Sequence, residues 1–133
     1  MPLPVITDVP NIEVFAEKLQ TNPGLLIFKF GATWCGPCKK IEPLVDEWIA
    51  KLPDNVQFAK IDIDECFELY GFLQKKRTIN GVPGILCYYK NNTNYIPNDG
   101  IVGADLPKIN EFFERCLKMA NYLLPAEKPE GEI

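Results

Sequence analysis

The most constraining feature of this chain is a strand, helix, strand succession whose connections are too short for anything but a parallel crossover. Leu25 to Phe30 is a nearly continuous apolar, β-prone run, the pattern of a strand covered on both faces, and Lys29 stands inside it as an anomaly. Gly31 to Gly36 carries the chain into a helix with the apolar stripe Ile41, Leu44, Val45, Trp48, Ile49 and Leu52, and Pro43 is expected to kink it. Pro53-Asp54-Asn55 is a turn, and Val56 to Ile63 reads as the next strand. Two strands joined in this way lie parallel in one sheet with the helix packed across it, which places the chain in the α/β class.

The flanking segments extend this unit. Asn11 precedes Ile12, Phe15, Ala16 and Leu19 at helical spacing, and Asn22-Pro23-Gly24 stops that helix. Cys66, Leu69, Tyr70 and Leu73 mark a weaker helix. Gly81-Val82-Pro83-Gly84 leads into an apolar strand from Ile85 to Tyr89. Asn91 to Asn94 turns the chain into a second strand that reaches Gly103, where Pro97 and Gly100 suggest an edge or a bulge. Asp105 can cap a last helix bearing Leu106, Ile109, Phe112, Phe113 and Leu117. With 133 residues there is room for one domain, expected over residues 1–123, followed by a disordered Pro-containing acidic tail at 124–133.

Composition narrows the chemistry. Fourteen Lys and Arg against 18 Asp and Glu leave a net charge of −4, so nucleic acid is not an expected partner. No apolar run approaches the length that spans a bilayer, and no membrane association is expected. Five cysteines and no histidine exclude Ser/His, Cys/His and His-metal mechanisms. The odd cysteine count, and the absence of a basic residue before Lys18, read as a soluble cytoplasmic protein of a reducing compartment.

Trp34-Cys35-Gly36-Pro37-Cys38 is the segment with chemically loaded spacing. Two intervening residues put the cysteines one helical turn apart, close enough for a disulfide, and the preceding strand puts them at a helix N-terminus. There Cys35 meets free backbone N–H groups and the positive end of the helix dipole, which favour the thiolate, so Cys35 is the expected nucleophile. Cys38, one turn further in and expected to be less exposed, would resolve the mixed disulfide. Pro37 suits the first helical turn, and Gly36 lets the chain tighten there. Half of a zinc site is the alternative, but Cys66, Cys87 and Cys116 are singly spaced and supply no second pair.

Here the chain resembles the thioredoxin family. The segment from Leu25 through Cys38 to Lys39-Lys40-Ile41-Glu42-Pro43 is similar to that family's active-site strand, motif and proline-containing helix. Phe58-Ala59-Lys60-Ile61-Asp62 resembles its next strand. Val82-Pro83 resembles the hydrophobic residue and cis-proline that face the dithiol, and Val102-Gly103-Ala104 resembles the loop that lines the substrate groove. The resemblance, over roughly residues 8 to 118, implies a thioredoxin-like fold, a central mixed β-sheet with helices on both faces. It also implies a monomeric protein-disulfide reductase without bound cofactor, its redox-active Cys35–Cys38 pair recharged by a thioredoxin reductase-type donor. Trp34, Gly36, Pro37, Val82, Pro83 and Gly103 would contact the protein disulfide substrate.

The departures from that pattern are concentrated behind the dithiol. Lys29 stands where the family usually has a buried acid, close to the expected position of Lys60, so two like charges would share a poorly solvated site unless one is neutral or turned outward. Either Lys29 points to solvent, or it is a tuned base with a depressed pKa. Gly31 replaces the usual aromatic residue and Gly84 the usual threonine. Cys66 lies where some animal members carry a regulatory thiol, and its alternative is a small core residue. Cys87 and Cys116 are expected to be buried and inert. Rival functions are a thioredoxin-fold binding or chaperone module with an incidental dithiol, and a disulfide isomerase or oxidase. The Gly-Pro spacer resembles that of reducing members.

Overall fold

A computed structural model describes residues 3–124. Four strands form one mixed sheet in the order β2-β1-β3-β4. The central strand β1 (Leu25–Gly31) pairs in parallel with β2 (Val56–Asp62), with Leu25 opposite Val56 and Gly31 opposite Asp62. Helix α2 (Gly36–Lys51) makes the crossover between them. On its other side β1 pairs antiparallel with β3 (Gly84–Tyr89), which forms a hairpin with the edge strand β4 (Asp99–Val102).

Apart from Lys29, β1 is apolar because both of its faces are covered. Leu25 and Ile27 pack with Ile41, Val45 and Trp48 of α2 and with Ile109, Phe112 and Phe113 of α4 (Leu106–Leu123). Leu26, Phe28 and Phe30 face the other way, onto Phe15 and Leu19 of α1 (Ile12–Gln20) and Leu69 and Leu73 of α3 (Phe67–Lys75). Alternating side chains on a strand thus feed two separate cores, one per face. Burying a side chain of this size stabilises the fold by about 1.5–3 kcal/mol.

The helix starts follow local chemistry. Asn11 Oδ1 accepts from the Val14 N–H at 2.9 Å, and Asp105 Oδ1 from the Lys108 N–H at 3.2 Å, each satisfying a free donor of the first turn. Pro43 lies inside α2, which continues unbroken to Lys51, with the ring on the exposed side of the helix.

The hairpin differs from expectation in one place. β4 begins only at Asp99, and residues 90–98 form a loop instead of strand. Asn side chains account for it: Asn98 Oδ1 accepts from the Tyr89 N–H at 2.8 Å, Asn92 Oδ1 from the Asn94 N–H and Asn94 Oδ1 from the Ile96 N–H, both at 2.9 Å. These local bonds compete with the ladder for the same backbone groups. The acidic tail expected to be disordered lies, from residue 125 onward, outside the described residues. Among those described, no helix is long and apolar enough to cross a membrane.

Candidate active site

β1 ends at Gly31, and the next few residues turn the chain into α2. Cys35 is the N-cap of that helix, and its Sγ accepts the Cys38 N–H at 3.1 Å. Cys35 and Cys38 form a disulfide with their Cα atoms 5.3 Å apart. Both residues are almost fully buried, 5% and 4% exposed, so the expected difference in exposure is absent. Pro37 occupies the first turn, where its missing N–H leaves no bond unmade. Gly36 is not in the left-handed region, and a Cβ there would meet nothing within 4 Å. Its contribution is therefore a low surface beside the sulfurs, not a tightened chain.

The sheet topology gathers the other candidate residues at the same end of β1. Phe30 is opposite Gly84 on β3, and Gly84 is opposite Val102 on β4, so the loops before β3 and after β4 both emerge beside the dithiol end. The Val82–Pro83 peptide bond is cis, with Pro83 buried and Val82 half-buried. The Gly103 N–H donates to the Pro83 carbonyl at 2.9 Å, and Gly103 has φ +110°, which an L side chain would strain. Gly84 is a matter of space: a Cβ there would lie 2.6 Å from Ile79 Cδ1 and 3.0 Å from the Gly81 carbonyl oxygen. Trp34 is 66% exposed, and its Nε1–H donates to Asp64 Oδ2 at 2.8 Å. Sequence reasoning missed Asp64, whose partner is 30 residues away.

Behind Cys38 lies the charged group that departs from the family pattern. Lys29 does not reach solvent: it is 7% exposed and faces α2 from β1. Its register partner Lys60 is on the same side of β2. Glu42 Oε1 lies 3.9 Å from both ammonium nitrogens, and Asp46 Oδ1 takes Lys60 Nζ at 2.9 Å. The like-charge conflict is thus relieved by two carboxylates of α2 and by turning Lys60 outward. Burial pushes Lys29 below its ordinary value of 10.5; Glu42 opposes that shift, the neighbouring Lys60 adds to it, and Asp46 opposes it. Glu42 and Asp46 were missed in the sequence, although Cys38, Glu42 and Asp46 recur every four residues and so share one helix face.

The other thiols are buried and unpaired. Cys66 sits at the α3 N-cap position but makes no cap bond, and burial raises its thiol above the ordinary value of 9.0. The nearby Asp8, Glu65 and Asp62 carboxylates add to the rise, and a Val9 backbone hydrogen bond opposes it. Cys87 is held well above its ordinary value by a hydrogen bond with Cys116 and by burial. Neither environment favours a nucleophilic thiolate. Among the described residues, no group of three or more His, Cys, Asp or Glu is placed to hold a metal ion.

Comparison with known proteins agrees with this geometry. The sequence profile of the thioredoxin family matches residues 6–113. The chain is 30% identical over 104 residues to Thioredoxin-2 of Pyricularia oryzae, covering 78% of this chain and 55% of that one. It is 30% identical over 115 residues to the probable thioredoxin-2 of Caenorhabditis elegans, covering 84% and 72%. The solved structure of Malassezia sympodialis thioredoxin superposes with a TM-score of 0.63 at 27% identity, covering 86% of this chain and 95% of that one. The chain spans about half the length of three of the curated relatives it matches (55%, 47% and 48%). With its profile match, its fold and its Cys-Gly-Pro-Cys disulfide at a helix N-terminus, the chain belongs to the thioredoxin family.

Proposed function

We propose that this chain is a protein-disulfide reductase working by dithiol–disulfide exchange. The observation that carries the reading is the Cys35–Cys38 disulfide capping α2 beside an exposed tryptophan and the Val82–Pro83 loop. In the reduced protein, the Cys38 N–H and the helix dipole would stabilise a Cys35 thiolate. That thiolate attacks one sulfur of a substrate disulfide and releases the other as a thiolate. Cys38 then attacks Cys35 Sγ, the substrate leaves fully reduced, and the Cys35–Cys38 disulfide is restored. Trp34, Gly36, Pro37, Val82, Pro83 and Gly103 form the surface on which an extended substrate segment would lie, and Lys29 and Lys60 are the charge-tuning residues.

Each turnover leaves the protein oxidised, so a dithiol donor is required, and we assign this role to a thioredoxin reductase-type partner. No bound cofactor is needed for the exchange, and we expect the protein to act as a monomer. Three free buried cysteines suit a reducing compartment, which supports a cytoplasmic location. An insulin-reduction assay with dithiothreitol as donor tests the activity. Cys35→Ser is expected to abolish catalysis, and a Cys35→Ser protein as active as the parent would overturn the assignment in favour of a binding or chaperone role. Trp34→Ala is expected to raise KM about fivefold with little change in kcat, the signature of lost substrate contact.

A further inference from the structure

A cavity of about 530 Å³ lies between β1, β2 and the start of α2, lined by Cys38, Lys29, Gly31, Glu42, Lys60 and Asp62 among others. Within it, Gly31 brings two groups into view of each other. A single point, where the Gly31 Cβ would be, lies 3.5 Å from Cys38 Sγ and 3.9 Å from Lys29 Nζ. Nothing from Gly31 itself stands between them. The charged groups facing Lys29 are Glu42 and Asp46 from α2 and Lys60 from β2; Asp62, Glu65 and Lys39 border the same cavity.

We propose that Lys29 serves the resolving step as a buried fixed charge, its ammonium holding the Cys38 thiolate across the face of Gly31. This inference rests on the reductase reading above. In the mixed disulfide Cys38 gives its proton to solvent through the cavity, and the Lys29 ammonium beside it stabilises the thiolate that remains. The Cys38 thiolate attacks Cys35 Sγ; the Cys35–substrate S–S bond breaks as the Cys35–Cys38 bond forms. The substrate leaves as a thiolate and takes a proton from solvent. Two electrons pass from the dithiol to the substrate disulfide, and the proton count closes.

A lysine does here what a carboxylate could not. A carboxylate beside Cys38 would repel the thiolate when charged and offer it no attraction when neutral, whereas an ammonium attracts it. Burial lowers the proton affinity of Lys29 and a thiolate at Cys38 raises it, so forming the thiolate offsets part of the cost of the buried ammonium. Glu42, shared with Lys60 at 3.9 Å, keeps that affinity from falling too far.

A chromogenic aryl disulfide separates the two half-steps, because each releases one coloured thiolate from the reduced protein. Attack by Cys35 gives the first release and resolution by Cys38 the second. Lys29→Met is expected to leave the first release within about threefold and to slow the second by about 100-fold at neutral pH. It should also move the pH-rate midpoint of the second release upward. Lys29→Arg, which keeps the charge, should recover most of that loss. Gly31→Ala places a methyl at ordinary contact distance from both groups, and it should slow only the second release. A first release at the rate of the parent, with Cys66, Cys87 and Cys116 still unreactive, shows that the variant is folded. A second release in Lys29→Met and Gly31→Ala with the rate and pH profile of the parent would overturn the proposal. An absent first release in the parent would instead overturn the reductase reading.

Discussion

Lys29 and Lys60 stand opposite each other on the parallel β1–β2 ladder, and their ammonium groups approach one carboxylate oxygen, Glu42 Oε1, at 3.9 Å each. Two cations side by side in a half-dry cavity are tolerable only because α2 presents acids to them at one-turn intervals. Glu42 serves both lysines, while Asp46 draws Lys60 toward solvent at 2.9 Å.

Glu42→Gln removes the shared carboxylate and leaves buried Lys29 with only Asp46, beyond ion-pair distance, as a counter-charge. The oxidised protein is expected to lose about 1 kcal/mol, a modest figure because Glu42 is partly exposed and the ion pairs are long. Urea denaturation at pH 7 measures it. No loss of stability would mean that Glu42 does not compensate Lys29.

Lys29→Met is expected to stabilise the oxidised protein at pH 7 by about 1–3 kcal/mol, since it replaces a desolvated cation by an apolar chain of similar length. The pH dependence has a definite sign. Lys29 has a lowered pKa in the folded protein, so between that value and 10.5 the unfolded chain binds more protons. The parent therefore gains stability as pH rises through this window, and its deficit against Lys29→Met should shrink toward pH 10.5. A constant difference from pH 7 to pH 10 would contradict it.

Cys66 is expected to behave as a core thiol. After reduction, iodoacetamide at pH 7 should modify Cys35 rapidly, with Cys66, Cys87 and Cys116 reacting at least about tenfold more slowly because they are buried, and the Cys66 and Cys87 thiols are also raised. Peptide mass spectrometry resolves the sites. Modification of Cys66 at the rate of Cys35 would reopen a regulatory role for it.

Gly84→Ala should destabilise the fold by about 1–3 kcal/mol through overpacking, because the new methyl would meet Ile79 Cδ1 at 2.6 Å and the Gly81 carbonyl at 3.0 Å. Thermal unfolding measures the loss. Gly84→Ala with Ile79→Val should recover part of it if Ile79 is the neighbour that matters.

Most of the fold was legible because it rests on short-range patterns. Both faces of β1 are buried, so its apolar run is broken only at Lys29; Asn11 and Asp105 announce their helices; the order of strand, helix and strand leaves one topology. The extent of β4 was not legible, because Asn92, Asn94 and Asn98 bond locally to backbone groups that an apolar pattern assigns to the ladder. Pro43 interrupts a helical pattern without interrupting the helix. At the site, the spacing of Cys35 and Cys38 specified both the disulfide and its place on α2 before any coordinates were known.

The surroundings of that disulfide depend on contacts between distant segments. Trp34 meets Asp64 across 30 residues, and Gly103 meets the Pro83 carbonyl, because strand pairing, not sequence proximity, assembles the dithiol end of the sheet. Lys29 is the clearest case. Its position in an apolar strand already required either an escape to solvent or a buried charge with unusual proton affinity, and local pattern weighs these equally. Register decided it, setting Lys60 beside Lys29, while α2 brought Glu42 over both and the bare face of Gly31 opened Lys29 toward Cys38. Electrostatic energy depends on distances between charges from three separate elements, and those distances exist only once the sheet and helix have packed.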